Sequence, residues 1–146
     1  MITIPASILR QIYDHTEASY PNECCGLLVG TTDRDNHHTV HAFRRCKNIN
    51  QERARDRYLM DPLDQLRVQR EFDGSLWEIV GIYHSHPDHP SRPSKTDTEA
   101  AFAGYSYVII SVRNGTAESA QSWVLDESGT EKKFYEEPLV TGGESE

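Results

Sequence analysis

Residues 77 to 97 read Trp-Glu-Ile-Val-Gly-Ile-Tyr-His-Ser-His-Pro-Asp-His-Pro-Ser-Arg-Pro-Ser-Lys-Thr-Asp. Trp77 to Tyr83 is short and apolar on both faces, which suits a central strand covered by layers on either side. Pro87 then breaks the strand, and Pro90 and Pro93 stiffen the loop that follows. Ser94-x-x-Asp97 and Thr96-x-x-Glu99 both have capping-box spacing, so a helix is expected from Thr96 to about Ala103. Strand, tight loop and helix in that order point to an α/β fold.

The flanks extend this pattern. Ile2 to Ile4 fits a short edge strand, and Pro5 a first helical position. Ile8, Leu9, Ile12 and Tyr13 share one helical face, closed by Pro21. Glu23-Cys-Cys-Gly-Leu-Leu-Val-Gly30 is short, apolar and ended by glycine, hence a buried strand. Thr31 to Asn36 turns, and Thr39 to Arg44 returns. Residues 47–57 form a polar loop, and Tyr58 to Met60 a short strand. Asp61 caps a helix that has Pro62 at its first position and runs to about Phe72. Tyr105 to Val112 is a second apolar strand, and Asn114-Gly115 marks a hairpin. Ser119 to Leu125 returns, Glu127 to Gly129 turns, and Lys132 to Tyr135 closes a meander. The sum is one mixed sheet with two or three helices. A single domain is expected over 1–137, with a flexible tail over 138–146.

Composition narrows the function. The chain has 146 residues, enough for one domain. Fifteen Lys and Arg against 23 Asp and Glu give a formal charge of −8, which repels phosphate backbones and argues against a nucleic-acid partner. No basic leader and no apolar run of membrane-spanning length occurs, so no membrane association is expected. The three cysteines, Cys24, Cys25 and Cys46, are odd in number and two are adjacent, which reads as a reduced, cytoplasmic compartment. No Cys-x-x-Cys spacing exists, so an all-sulfur zinc knot is excluded.

The chemistry concentrates after Tyr83. Residues two apart in a strand share a face, so His84 and His86 point the same way and can grip one metal ion. Asp97, carried back by the proline-rich loop, supplies a carboxylate. Two histidines and one carboxylate suit zinc with a position left for water, and the same set can hold iron. Glu23, at the mouth of an otherwise apolar strand, is the candidate base, and the Ser94 hydroxyl a candidate donor to a developing oxyanion. Plainer readings stand beside these. Helix capping alone explains Ser94 and Asp97, and Glu23 is equally an ordinary strand-end charge. His37, His38 and His41 read as exposed. His89 reads as cleft mouth or plain loop, and Cys24 and Cys25 as packing residues.

His84-x-His86-Pro87, six residues, Ser94, two residues, Asp97 resembles the JAMM motif of the MPN-plus zinc metalloproteases. The Glu-x-x-Gly segment at Glu23 resembles their upstream glutamate strand, and no position departs from the pattern. The resemblance implies the MPN α/β domain, a curved mixed sheet flanked by helices and related to the cytidine deaminases. It implies one Zn2+ per chain on His84, His86 and Asp97, with water activation by Glu23 and oxyanion support by Ser94. It also implies a peptidase or isopeptidase cutting after the C-terminal Gly-Gly of a ubiquitin-like protein. The chain is compact, like the short bacterial members associated with ubiquitin-like sulfur-carrier proteins. The expected substrate is therefore such a carrier, its Gly-Gly tail freed of trailing residues or of an attached cysteine. A general small-peptide hydrolase and a non-catalytic MPN scaffold are the alternatives. A zinc deaminase needs His-x-Glu and Pro-Cys-x-x-Cys, and neither occurs.

Overall fold

Runs of apolar and β-branched residues become strands here, and the amphipathic stretches between them become helices. The computed structural model describes residues 1–142. Its elements are β1 (Ile2–Pro5), α1 (Ala6–Ser19), β2 (Cys25–Thr32), β3 (His38–Cys46), α2 (Pro62–Glu71), β4 (Glu78–Pro87), α3 (Lys95–Ala100), β5 (Ser106–Arg113), β6 (Thr116–Asp126), β7 (Lys133–Glu137) and β8 (Leu139–Gly142). The strands form one sheet in the order β7-β6-β5-β4-β2-β3-β1-β8. β4 pairs with β5 in parallel, as β1 does with both β3 and β8, and the other neighbours are antiparallel. The expected α/β mixed sheet with two or three helices is what forms, and β4 lies in its middle.

Strand alternation sends side chains into two apolar layers. Cys24, Leu28, Val80, Tyr83, Val108 and Ile110 pack toward α1, where Ile12 is buried and Ile8, Leu9 and Tyr13 lie against it. Cys25, Leu27 and Val29 pack on the other face against Val68 of α2 and Phe72 at its C-cap, with Tyr58 and Met60. Gly26 pairs with Tyr83 across β2 and β4. A Cβ at position 26 would stand 2.2 Å from the Tyr83 ring, so the ring occupies the space that the glycine leaves. That ring carries its hydroxyl to His15 Nδ1, 2.6 Å away.

Several boundaries differ from the sequence reading. β1 is not an edge strand, because β8 covers its free side. Four residues assigned to a flexible tail, Leu139–Gly142, pair in register with Ile2 to Pro5. They alternate too weakly in hydropathy to be read as a strand, and backbone pairing to β1 holds them. The rest of that tail, 143–146, lies outside the described residues. Pro5 ends β1 and caps α1 instead of opening the helix. Tyr58 to Met60 makes only an isolated bridge between Asn48 and Met60. Asp61 caps α2 as expected, accepting from the Leu63 N–H, and Pro62 opens it. His38 is buried and hydrogen-bonds the Ser106 hydroxyl at 2.8 Å. The Asn114-Gly115 hairpin forms, with φ of 51° and 85°.

Ending the chain at Pro138 is expected to lower stability by about 1–3 kcal/mol, because β1 loses one of its two partners. A urea unfolding curve measures this, and an unchanged midpoint would mean that residues 139–142 do not belong to the sheet.

Candidate metal centre and active site

The residues that carry the chemistry sit where β4 runs between two hydrogen-bonded neighbours. β4 does not end at Tyr83. It continues through His84 and His86 to Pro87, paired with β5 as His84 to Ile109 and His86 to Ser111. Cys25 pairs with His84 on the other side. Ser85 ties the start of β2 to this point: its N–H donates to the Cys24 carbonyl at 3.1 Å, and its Oγ accepts from the Cys24 N–H at 2.9 Å. Glu23 therefore sits just before β2, on the side of the sheet that His84 and His86 face. Its N–H donates to the Ala54 carbonyl at 2.6 Å, and its carbonyl accepts from Asn48 Nδ2 at 3.1 Å. The polar loop 47–57 thus holds the glutamate from outside the sheet.

Asp97 arrives from α3. Ser94 is the N-cap, and the capping box with Asp97 forms in both directions. Thr96 lies inside α3, so the alternative box with Glu99 does not form. Asp97 Oδ2 accepts from the Ser94 N–H at 2.9 Å. The same oxygen lies 3.0 Å from His86 Nε2 and 3.3 Å from His84 Nε2. The two Nε2 atoms are 3.3 Å apart.

These three donors form a nearly equilateral triangle. Bonds of about 2.0–2.1 Å at tetrahedral angles place ligand atoms about 3.3–3.4 Å apart, so the triangle fits one face of a zinc tetrahedron. Protonation agrees with this. His86 Nδ1 lies 2.8 Å from the Pro90 carbonyl, which can only accept, so Nδ1 carries the proton and leaves Nε2 its lone pair. His84 is 1% exposed, its ring stacks on Tyr58 at 4.5 Å, and its Nδ1 is buried without a partner. The described residues also hold a second set, Asp33, Asp35 and His37, but it is largely exposed.

Burial sets the titration of the site. Glu23 is 5% exposed and its Oε1 has no hydrogen-bond partner. Burial pushes its carboxyl up to about 8, with Asp97 and Asp56 adding to the rise and His86 opposing it. Burial also holds His84 below the usual imidazole range, against the pull of Asp97. For His86, burial works downward, but the bonds to Asp97 and the Pro90 carbonyl outweigh it and raise the group. Burial opposes ionisation of Asp97 as well, yet the imidazoles of His84 and His86 beside it hold its carboxyl far below the carboxylate range.

A cleft of about 340 Å³ opens on this cluster, lined by Glu23, His86 and Ser94, with Arg57, Arg92 and His89 among its other walls. Ser94 Oγ accepts from the Asp97 N–H at 3.0 Å, which leaves its own proton for a group in the cleft. The structure thus brings Glu23, His84, His86, Ser94 and Asp97 to one place, with His89 at the rim. His41 is exposed, stacked on Trp77 at 4.9 Å. The three cysteines are free and buried. Burial pushes the Cys24 thiol up to about 11 and the Cys46 thiol to about 12, and raises Cys25 too, the opposite of what a nucleophile needs. Tyr58 and the Pro90 carbonyl are site groups that the sequence reading missed. The tyrosine, a lone aromatic after the polar run 47–57, offered a signal, and the carbonyl offered none.

Residues 5–126 match a family model described as prokaryotic homologues of the JAB domain. The chain belongs to that family. Among its relatives is a desampylase of Haloferax volcanii, 34% identical over 122 residues, which cover 83% of this chain and 84% of that protein. A CysO-cysteine peptidase of Mycobacterium bovis is 29% identical over 134 residues, 90% of this JAB chain and 88% of the relative. A solution structure of a Desulfitobacterium hafniense protein superposes with a TM-score of 0.83 at 30% identity, covering 99% and 94% of the two chains. Among the described residues, no helix of this JAB chain is long and apolar enough to cross a membrane.

Because Glu23 is raised from 4.5 to about 8 in the folded protein, the fold binds a proton there that the unfolded chain releases. Metal-free wild type should therefore lose stability as pH rises from about 4.5 to 8, by up to about 1.4 kcal/mol per pH unit from this group. Glu23→Gln removes that loss. Urea unfolding in chelator should find the variant more stable than wild type at pH 9, with the gap closing near pH 4. A gap independent of pH would refute this account.

Proposed function

We propose that this chain is a zinc-dependent metallopeptidase or isopeptidase that hydrolyses the bond after the C-terminal Gly-Gly of a ubiquitin-like sulfur-carrier protein. The observation that carries the reading is the buried carboxyl of Glu23, unpartnered at Oε1, beside a zinc-sized triangle of His84, His86 and Asp97 donors. A polar atom is buried without a partner at a cost, so its persistence at a cleft supports a chemical role. The family and the relative named a CysO-cysteine peptidase support the same class of reaction. A cytoplasmic location is part of this reading, on the odd number of cysteines.

When bound by His84, His86 and Asp97, the metal would supply Lewis-acid chemistry, polarising a carbonyl and acidifying water. Glu23 removes the proton from the attacking water. The water oxygen bonds to the glycine carbonyl carbon, the C–N bond breaks, and Glu23 delivers the proton to the departing amine. Burial of Glu23 disfavours the charged carboxylate, so a proton taken from water is readily accepted there. Ser94 donates its hydroxyl to the oxygen on which charge develops. His86 keeps its orientation through Nδ1–H and the Pro90 carbonyl, and Asp97 through Ser94. Glycines fit a narrow approach because they carry no side chains.

A folded carrier needs a docking surface as well. Ile49, Leu59, Leu63 and Leu66 are exposed. Ile49 N–H donates to the Leu59 carbonyl at 2.8 Å, and Leu63 and Leu66 stand about one turn apart on α2. Leu59 follows Tyr58, the residue stacked on His84. Exposed apolar side chains on this segment and on α2 suit contact with the body of a protein substrate.

Plasma mass spectrometry on protein purified without added metal should find about one zinc per chain, lost in His86→Ala and Asp97→Ala. Glu23→Gln should keep the zinc and lower cleavage of a Gly-Gly-tailed carrier by at least about 10²–10⁴-fold. Zinc-free wild type that takes up none on addition, or a fully active Glu23→Gln, would overturn the reading. In steady-state assays Leu63→Asp should raise KM several-fold for a folded carrier, and less for a short Gly-Gly peptide. Equal effects on both would remove α2 from the docking surface.

A further inference from the structure

Ser91 is 3% exposed, although Pro90 and Arg92 on either side of it are exposed. The loop after β4 turns this serine inward onto β6. Its hydroxyl donates to Gln121 Oε1 at 2.7 Å and lies 3.2 Å from the Ser119 hydroxyl, and its carbonyl accepts from Trp123 Nε1 at 3.0 Å. Gln121 Nε2 donates to Glu136 Oε2 at 2.9 Å, which turns the amide oxygen toward Ser91. Register explains why β6 reaches the loop. His84 and His86 pair with Ile109 and Ser111 of β5, and these pair with Gln121 and Ser119 of β6. Residues in one row across a sheet share a face, so Ser119, Gln121 and Trp123 project on the side to which the two histidines point. Three successive loop carbonyls then each take a side-chain donor: His89 from Ser111 Oγ at 2.6 Å, Pro90 from His86 Nδ1 and Ser91 from Trp123. The middle bond sets the His86 tautomer, and Pro90 has no N–H of its own with which to anchor that carbonyl.

Resting on the metal-centre reading above, we propose that Trp123 and Gln121 are positioning residues for His86, acting through Ser91. Neither lines the cleft. The Pro90 carbonyl belongs to the planar peptide group that joins Pro90 to Ser91, so holding Ser91 by its carbonyl and its hydroxyl fixes the direction in which the Pro90 carbonyl points. A metal-binding imidazole must present the lone pair of Nε2 in one direction, and the bond at Nδ1–H secures both the tautomer and the ring orientation. With Ser91 released, the Pro90 carbonyl swings away. His86 is then free to turn its ring or to move its proton to Nε2, and either change takes a donor out of the triangle. Ser122 offers the contrast. It is next to Trp123 on β6 and fully buried, but it faces the other side of the sheet and donates to Glu137 Oε2 at 2.7 Å, away from the site.

Zinc affinity tests this without turnover. It is measured by competition with a fluorescent chelator, beside urea unfolding in excess chelator. Trp123→Phe keeps an aromatic ring and removes only the donor, and Ser91→Ala removes the hydroxyl from the loop side. Each is expected to weaken zinc binding about tenfold, the low end of the cost of losing a group that orients a metal ligand. Gln121→Leu should match Ser91→Ala, and the two together should lose no more than either, because both remove one bond. Ser122→Ala should lower the urea midpoint and keep the wild-type zinc affinity. Unchanged affinity in Trp123→Phe and Ser91→Ala, or an equal loss in Ser122→Ala, overturns the inference, and a double loss equal to the sum overturns the route through Ser91. Should Trp123→Phe fail to fold, Ser91→Ala decides alone. Wild type that binds no zinc refutes the metal-centre reading and takes this inference with it, whereas wild type and variants that bind zinc equally well refute the positioning role alone.

Discussion

One carboxylate oxygen joins the two halves of the site. Asp97 Oδ2 accepts from the Ser94 N–H at the start of α3, and the same atom faces Nε2 of both His84 and His86. The cap of a six-residue helix and the middle of a central strand meet there. A helix that short has little stability of its own, so the capping box is what holds Asp97 in place. Capping and metal binding are thus one arrangement, because the box fixes the carboxylate that the histidines need.

Burying two imidazoles inside a paired strand is costly unless their nitrogens find partners. The fold supplies a carbonyl for one of them, an aromatic face for one ring, and Asp97 between both. Two atoms are exceptions, His84 Nδ1 and Glu23 Oε1, both buried without a partner, and Glu23 is raised well above an ordinary glutamate. Stability and chemistry oppose each other at that residue. The backbone bonds from Ala54, Asn48 and Ser85 around it hold the chain where the side chain alone would prefer solvent.

Much of this was legible in the residues. The alternation of strands and helices, the Asp61-Pro62 start of α2, the Asn114-Gly115 hairpin and the His-x-His parity all follow from local rules. Most of the misreadings share one cause. β1 looked like an edge, Leu139–Gly142 like a tail and His38 like a surface residue because each is decided by a partner far away in the chain: β8, β1 and Ser106. β4 was expected to stop at Tyr83 because a strand pattern cannot show that β5 and β2 continue to pair alongside it.

The order of residues sets the chemical types at the site and the spacing that puts two imidazoles on one face, since strand geometry has a fixed period of two. It also determined that Ser94 and Asp97 can cap each other, since a helix start has a fixed period of three. Folding alone brings Glu23, some sixty residues before His84, beside them, and brings Arg57 and Arg92 to the same cleft. Those neighbours are set by sheet order and by how the 47–57 loop packs over the strand ends. Long-range pairing of that kind is written in no local window of the chain.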